Sequence, residues 1–569
     1  ERQWYVPKSS SREGGTPMPK IEVGRRDLFS LAGTGEMSND ELEDVLSVVK
    51  GELDDSFEDR LKIELNDTNR PDLWCVEGVA RALRCYRQGP EEHLADLPEP
   101  GGRVIVDEGL KNIRPFVAAF TACGWAPGED DLEALIEVQE KLASSFGKDR
   151  KDAGAGFYRL DDIVFPVRYR AAHRSTSFVP LGEEREMTLA ETLELTETGR
   201  KYAHILEGCE RMPVLQDEDD KVLSFPPILN SQTTGRVQAG DSRLFCEVTG
   251  TRWETVQLMA TILACNLEDR GAEITPLHVV YSGEDSFRTG DCPVRFDDTL
   301  TASLDEIERI TGAPLTAGQV SEALSKMDYD SVEIEGSSVR GVLPPYRRDG
   351  IHSVDMVEDI IISMGLSSFE PLLPERFTIG RSSETQELAD SLRLLMTGAG
   401  CEEIVRPVLT SREKVMDLTA SREEPVALAN PMTAEYGVVR NTLLPGLLEV
   451  ESTSAHAAYP HRVFEAGEVL GSEDGVCSTG ILLACLVCGN EADLGDVHSV
   501  LGALCHARGA ALELKPSSDS RFVPGRSAEV IIGGTPSGVI GEIHPAVLER
   551  WGITRPAAAF EVDLVSLKG

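Results

Sequence analysis

Apolar and polar positions along this chain change rhythm several times, and the changes outline its elements. In SNDELEDVLSVVKGEL the apolar residues recur at helical spacing behind Ser38, which predicts a helix capped by that side chain. LKIELND alternates residue by residue, as a half-buried strand does. TNRPDLWCVEGVARALRCY reads as an Asn-Arg-Pro-Asp turn feeding a helix, with Pro71 in the first turn and Asp72 complementing the helix dipole. QGPEEHLADLPEPGGR, rich in Pro, Gly and Glu, reads as a linker. Beyond it, strands such as RVIVDE and LFCEVTG alternate with helices such as DDLEALIEVQEKLASSF and RWETVQLMATILACNLEDRG. SLDEIERITG and TAGQVSEALSKMDYD predict two short helices, and DSVEIEGSSVRGVLPPY predicts a strand, a turn and a strand. Toward the end, a helix over TQELADSLRLLMTGAG precedes strands RVFEAGEVL, GILLACLVCG, AEVIIGG and AAAFEVDL. These strands lack regular helical crossovers, which predicts an antiparallel sheet.

With 569 residues the chain is long enough for several cores. The pattern predicts an α+β multidomain protein, with an N-terminal α/β domain over 18–95 and a second domain over 96–282. A winged-helix-like module follows over 283–368, in helix-helix-strand-strand order, and a larger domain over 369–569. Residues 1–17 are polar and precede Met18-Pro-Lys-Ile-Glu-Val, which has the look of a natural start, so they read as a flexible extension or tag. No apolar run reaches the ~20 residues of a membrane span. The sequence contains no internal repeat, no phosphate-binding GxxxxGK[ST] loop and no dinucleotide fingerprint.

Charge changes the picture more than apolar content does. The chain has 97 acidic against 56 basic residues, a formal net charge of −41. A surface so acidic stays hydrated in a high-salt cytosol, where its self-repulsion is screened; the plain alternative is an acidic soluble protein. Broad non-specific nucleic-acid binding needs clustered Lys and Arg and is disfavoured, so an RNA partner would have to meet local basic surface or another subunit. Cys75, Cys123, Cys246 and Cys265 sit among apolar residues and read as small core side chains. The pair Cys485 and Cys488 lies inside an apolar run and reads as part of a buried strand, not as a zinc or redox site. Cysteines without framework spacing point to a reducing cytoplasm.

PPYRRDGIHSVDMVEDIIISMG carries the densest candidate chemistry. Asp355, Glu358 and Asp359 stand at i, i+3 and i+4 of a predicted helix and share a face, and Asp349 precedes them by one short loop. Four carboxylates at this spacing can offer hard oxygen ligands to Mg²⁺. Equally, acidic residues in a first helical turn behind a Ser353 cap complement the helix dipole without any metal.

Seven segments, in order, resemble the phenylalanine–tRNA ligase β-subunit family of the archaeal and eukaryotic type. They are NDTNRPDLWCVEGVARALR, VLSFPPILNSQTTGRV, LFCEVTGTRWE, PPYRRDGIHSVDMVEDIIISMG, NPMTAEYGVVRNTLLPGLLEV, YPHRVFEAGEV and GEIHPAVLERWGI. The resemblance implies an α₂β₂ enzyme whose α subunit binds ATP and phenylalanine and charges tRNA(Phe). This chain would contribute an editing domain over 96–282, the winged-helix-like domain and a class II synthetase-like domain without aminoacylation chemistry. No inserted oligonucleotide-binding module and no added C-terminal anticodon-binding domain of the bacterial type is evident.

The resemblance also assigns sites. Leu215, Ser224, Asn230, Glu247 and Thr249 match the family's editing pocket, which hydrolyses mischarged Tyr-tRNA. Glu247 and Thr249 stand at i and i+2 of one strand and so point to the same face. Glu247 suits the tyrosine hydroxyl, Asn230 and Ser224 suit the closing of the pocket from the preceding Pro-rich loop, and Leu215 suits an apolar wall. Asp349, Asp355, Glu358 and Asp359 match a Mg²⁺ site shared with the α subunit. Arg440, Arg462 and Glu465 read as fold and interface residues of a degenerate copy, and the apolar LLPGLLEV and RVFEAGEV as subunit interface. The rival readings are a non-enzymatic RNA-binding or assembly scaffold, and a self-sufficient synthetase or free-standing deacylase.

Overall fold

The helix expected behind Ser38 forms as Asn39–Leu46 and closes with a full capping box between Ser38 and Glu41. It belongs to a computed structural model that describes residues 20–568 except Glu58, Thr68, Glu375 and Asp474. The extension read at 1–17, and Met18, lie outside the described residues. The chain divides into two units between Leu373 and Pro374.

The first unit opens with a three-stranded antiparallel sheet in the order Lys20–Gly24, Arg60–Leu65, Gly51–Phe57. The following turn differs from expectation. Pro71–Leu73 make a separate 3₁₀ turn, and the helix starts only at Val76, with Cys75 Sγ accepting the Gly78 N–H. Asp72 lies in the first turn of that 3₁₀ helix and not of the α-helix. It is buried and takes both arms of the Arg70 guanidinium, at 2.9 and 2.7 Å.

The second part of this unit is a ten-stranded sheet. Its long helix, Trp253–Asp269, is buried without a break from Thr255 to Leu267, which explains an apolar run with little amphipathic rhythm. One edge of the sheet is the short strand Leu229–Asn230, and the other is Ala153–Arg159. The sheet curls until these edges meet. Arg159 N–H donates to Thr234 O at 3.1 Å, and Asn230 Nδ2 donates to Phe157 O at 3.3 Å. A curled sheet satisfies edges that would otherwise face solvent unpaired. Gly290–Cys292 still pairs with Glu273–Val280, so the large sheet extends past residue 283, the expected start of the next module.

That module holds the expected two helices, Leu304–Thr311 and Ala317–Lys326, and the hairpin Ser331–Glu335 with Ser338–Val342. A leading strand, Thr299–Ser303, was not anticipated; it pairs with Ser338–Val342. The helix Ser353–Met364 completes the module.

The second unit is built on a seven-stranded sheet, antiparallel except where Glu402–Glu403 joins His461–Glu473. Its strand Val476–Cys488 sends Leu483, Cys485 and Val487 into one core, with helices Glu384–Gly398 and Leu494–Arg508. It sends Ala484, Leu486 and Cys488 into another, with Leu444–Thr453 and Pro545–Arg550. Burial on both faces is why this strand reads as a continuous apolar run, and it places Cys485 and Cys488 on opposite sides. Leu443, Leu444, Leu447 and Leu448 fill the second core, so the apolar residues of LLPGLLEV pack inside the unit and are not displayed as an interface.

Gly78 marks a close approach between the 3₁₀ turn and the helix behind it. A Cβ there would lie 1.7 Å from Asp72 O. Gly78→Ala is expected to destabilise the first unit by about 3 kcal/mol, at the upper end of overpacking costs. Thermal unfolding indistinguishable from the parent would refute this.

Candidate functional site

Three of the expected pocket residues come together through strand pairing alone. Leu215 on Arg211–Gln216 pairs with Ser224 on Val222–Phe225, and Ser224 pairs with Asn230. Ser224 and Asn230 thus belong to a hairpin around Pro226 and Pro227, where a loop was expected. Leu215 and Ser224 are fully buried and Asn230 is partly buried. Glu247 and Thr249 lie on Arg243–Gly250, which pairs with the far edge strand of the sheet. Curling brings that edge against Asn230, and the candidate site lies at the seam.

The link across the seam is Tyr158, which sequence reasoning missed. Its hydroxyl is 2.8 Å from Glu247 Oε1 and 3.2 Å from Asn230 Oδ1. Gly156 stands directly opposite Glu247 in the ladder, and its bare backbone makes room for this contact. A Cβ on Gly156 would lie 2.5 Å from the Tyr158 hydroxyl and 3.1 Å from Glu247 Oε1. The small-residue rhythm of AGAGFYR before a buried tyrosine was the available signal.

Thr249 has a different partner. Arg114, buried, donates from Nε to Thr249 Oγ1 at 3.0 Å and from Nη2 to the Thr249 carbonyl. Its Nη1 donates to the carbonyls of Arg150 and Lys151 at 2.8 and 3.2 Å. Five-donor geometry locks this guanidinium, so its charge is a fixed feature of the site.

Glu247 is 3% exposed, and its Oε2 has no hydrogen-bond partner among the described residues. Burial pushes its carboxyl from 4.5 up to about 7, against the opposing pull of the Tyr158 hydrogen bond and the Arg114 charge. A buried carboxylate with one free oxygen can accept a hydroxyl hydrogen bond, and an ionisation near neutrality suits proton exchange at physiological pH.

The four carboxylates of the second candidate site have different partners. Asp349 takes Arg347 Nε and Nη2 at 3.1 and 2.7 Å, and the same Nη2 reaches Asp359 Oδ2 at 3.0 Å. Tyr329 also donates to Asp359 Oδ2, at 2.9 Å. Burial acts to raise Asp349, but Arg347 and Arg70 outweigh it and hold the carboxyl well below the usual range. For Asp359 burial prevails over Arg347 and the carboxyl is raised. One guanidinium thus serves two acids, Asp359 buried and Asp349 half-buried. Asp355 Oδ2 accepts the N–H groups of Ile351 and His352 at 2.7 and 2.8 Å; the helix cap is His352, not Ser353. Glu358, exposed, meets Lys50 at 2.9 Å. Asp355 and Glu358 are the two of the four that no guanidinium holds, so they keep the most freedom to meet Mg²⁺, which needs only one or two direct carboxylates.

Two other groups bring potential ligand atoms within 4.8 Å of one another: His93 with Cys265 and Glu268, and Glu91 with His93 and Asp269. Asp269 is already held by Arg81 and Arg84, at 2.7 and 2.5 Å, and burial keeps the Cys265 thiol protonated. In the second unit Arg440 and Glu465 form a buried pair at 2.7 Å, and Arg462 lies 3.7 Å from Asp496.

The raised Glu247 carboxyl makes a prediction with a definite sign. The folded protein holds this proton more tightly than the unfolded chain does. The associated stability is full below pH 4.5 and is lost as pH rises through about 7. A displacement from 4.5 to about 7 is worth on the order of 3 kcal/mol. Glu247→Gln, which cannot ionise, should gain that much relative to the parent between pH 5 and pH 8.5 in urea unfolding. Equal differences at the two pH values would mean that Glu247 titrates as an ordinary surface acid.

Comparison with known proteins places the chain. A family model described as the phenylalanyl tRNA synthetase beta chain CLM domain matches residues 371–564, and one described as the tRNA synthetase B5 domain matches 300–366. The chain is 36% identical over 567 residues to the phenylalanine–tRNA ligase beta subunit of Borrelia turicatae, covering 97% of this chain and 100% of that one. It is 36% identical over 557 residues to that of Pyrococcus horikoshii, covering 96% and 99%. For that of Thermococcus gammatolerans it is 37% over 568 residues, covering 96% and 98%. Among solved structures it is similar to an N-terminal fragment of the phenylalanyl-tRNA synthetase beta subunit from Pyrococcus horikoshii. The TM-score is 0.58 and the identity 37%, over 61% of this chain and 99% of that one. With a relative matched along its whole length and both family models falling on the expected segments, this chain belongs to the phenylalanine–tRNA ligase beta-subunit family.

Proposed function

We propose that this beta subunit works in the cytoplasm in an α₂β₂ enzyme whose α subunit activates phenylalanine with ATP and charges tRNA(Phe), while the seam of the curled sheet removes tyrosine from mischarged tRNA. An apolar amino-acid pocket cannot strongly exclude one added hydroxyl, so such an enzyme gains accuracy from a second site that recognises the hydroxyl by a hydrogen bond. The observation that carries this reading is the unpartnered Glu247 Oε2, buried beside Asn230, Ser224 and Leu215. It is an acceptor suited to a phenolic hydroxyl. Water held by the polar groups adds to the ester carbonyl carbon, and the bond to the ribose oxygen breaks. One water proton passes to that oxygen, giving tyrosine and free tRNA.

Asp355 and Glu358 are the residues that would hold Mg²⁺ in the module over 300–366, together with oxygens from the α subunit and water. A bound ion there would supply a charge bridge between subunits.

In the assembled enzyme, Glu247→Ala should slow Tyr-tRNA deacylation by about 10²-fold, the scale of one lost polar contact in a buried site, and leave Phe-tRNA synthesis intact. Unchanged deacylation with normal assembly would leave the scaffold reading standing instead. Replacing both Asp355 and Glu358 with Ala should lower the Mg²⁺ content of the dialysed tetramer. Retention of the full metal content would remove the proposed site.

A further inference from the structure

The Tyr158 hydroxyl lies where two acceptors compete for it. Oη is 2.8 Å from Glu247 Oε1 and 3.2 Å from Asn230 Oδ1, and a phenol has one proton. With Glu247 ionised, the proton goes to the carboxylate, the stronger acceptor, and Asn230 Oδ1 is left facing a phenolic lone pair. With Glu247 protonated, Oε1–H donates to the phenol, whose own proton turns to Asn230. The Asn230 amide is held in this orientation by its Nδ2 bond to Phe157 O, at 3.3 Å. The three side chains therefore have two self-consistent hydrogen-bond patterns, selected by one proton.

We propose that Tyr158 is a positioning residue for the hydrolysis: it reports the charge of Glu247 to Asn230, so that the Asn230 carbonyl oxygen is released to hold the attacking water only when Glu247 is ionised and able to accept the substrate hydroxyl. This rests on the editing reading given above. It couples recognition of tyrosine to readiness for attack, with one group serving each task.

The groups facing Glu247 leave Tyr158 as the adjustable one. Arg114 comes from the loop ahead of Phe116–Cys123 and is fixed by Thr249 and two backbone carbonyls. Tyr169, on Val167–His173, and Cys246, on the same strand as Glu247, are both kept neutral by burial. Burial and the neighbouring Glu247 charge likewise keep Tyr158 protonated, so it acts by donating its proton and not by losing it.

The test is single-turnover deacylation of preformed Tyr-tRNA by the assembled tetramer across pH 6–9, with uncatalysed hydrolysis subtracted. Removing the donor that favours the carboxylate should move the acid limb of Tyr158→Phe up by about one pH unit. The rate at pH 7 should then fall roughly fivefold and approach the parent at pH 9. Replacing Tyr158 with 3-fluorotyrosine, a stronger donor, should move the limb the other way. A loss equal at every pH, or a profile identical in all three proteins, overturns the proposal, since a purely structural role predicts no opposed shifts. If Tyr158→Phe does not fold, the fluorinated protein alone decides by the direction of its limb. Glu247→Gln separates the two readings. If it hydrolyses Tyr-tRNA as the parent does, the editing reading fails. If it is impaired while the Tyr158 variants keep the parent profile, only the coupling fails.

Discussion

Buried ion pairs hold the first unit in one arrangement. The helix Val76–Gln88 sends Arg81 and Arg84 to Asp269 at the end of the long buried helix, and Arg270 returns to Glu77, Asp27 and Asp131. Just ahead of it, Arg70 joins Asp72 and approaches Asp349 at 3.7 Å. Asp349 in turn shares Arg347 with Asp359. The chain's two most distinctive motifs, NRPD and YRRDG, are thus the two halves of one junction. Such pairs add little net stability over well-packed apolar groups, but removing one partner strands the other charge in the interior. They therefore select one docking geometry. In a chain with 97 acidic and 56 basic residues, many arginines are used inside, and the surface is left correspondingly anionic.

The candidate site shows a similar logic with a different outcome. Glu247 is buried beside Arg114, yet the guanidinium is committed to Thr249 and backbone carbonyls and does not quench the carboxylate. The acid keeps a free oxygen and a proton affinity near neutrality. A cost in folding stability is accepted at a place where a polar ligand would relieve it.

Elements governed by local rules were legible in advance. Ser38 and Glu41 form their box because the interaction spans three residues, and the strand Arg60–Leu65 alternates because one face is buried. The shared face of Glu247 and Thr249 follows from the pleat. What escaped depends on closure in three dimensions. Asn230 and Tyr158 lie 72 residues apart and on opposite edges of the sheet, and nothing local announces that the edges meet. The partners of the acidic helix were hidden for a related reason. Shared spacing puts Asp355, Glu358 and Asp359 near one another, but Arg347 draws Asp359 inward while Lys50 draws Glu358 outward. The strand Thr299–Ser303 alternates, but it runs without a turn into the helix that Ser303 caps, which masked it. The LLPGLLEV segment misled because core and interface are equally apolar.

The meeting of the two sheet edges has a dynamic consequence. Neighbouring strands are joined by backbone ladders, whereas the seam is held by the Arg159 N–H to Thr234 O bond and by the Tyr158 and Asn230 side chains. Local breathing of the sheet should therefore concentrate along this line, and least along Arg243–Gly250, which is laddered on both sides. Such a line can open by fluctuation at little expense to the rest of the fold.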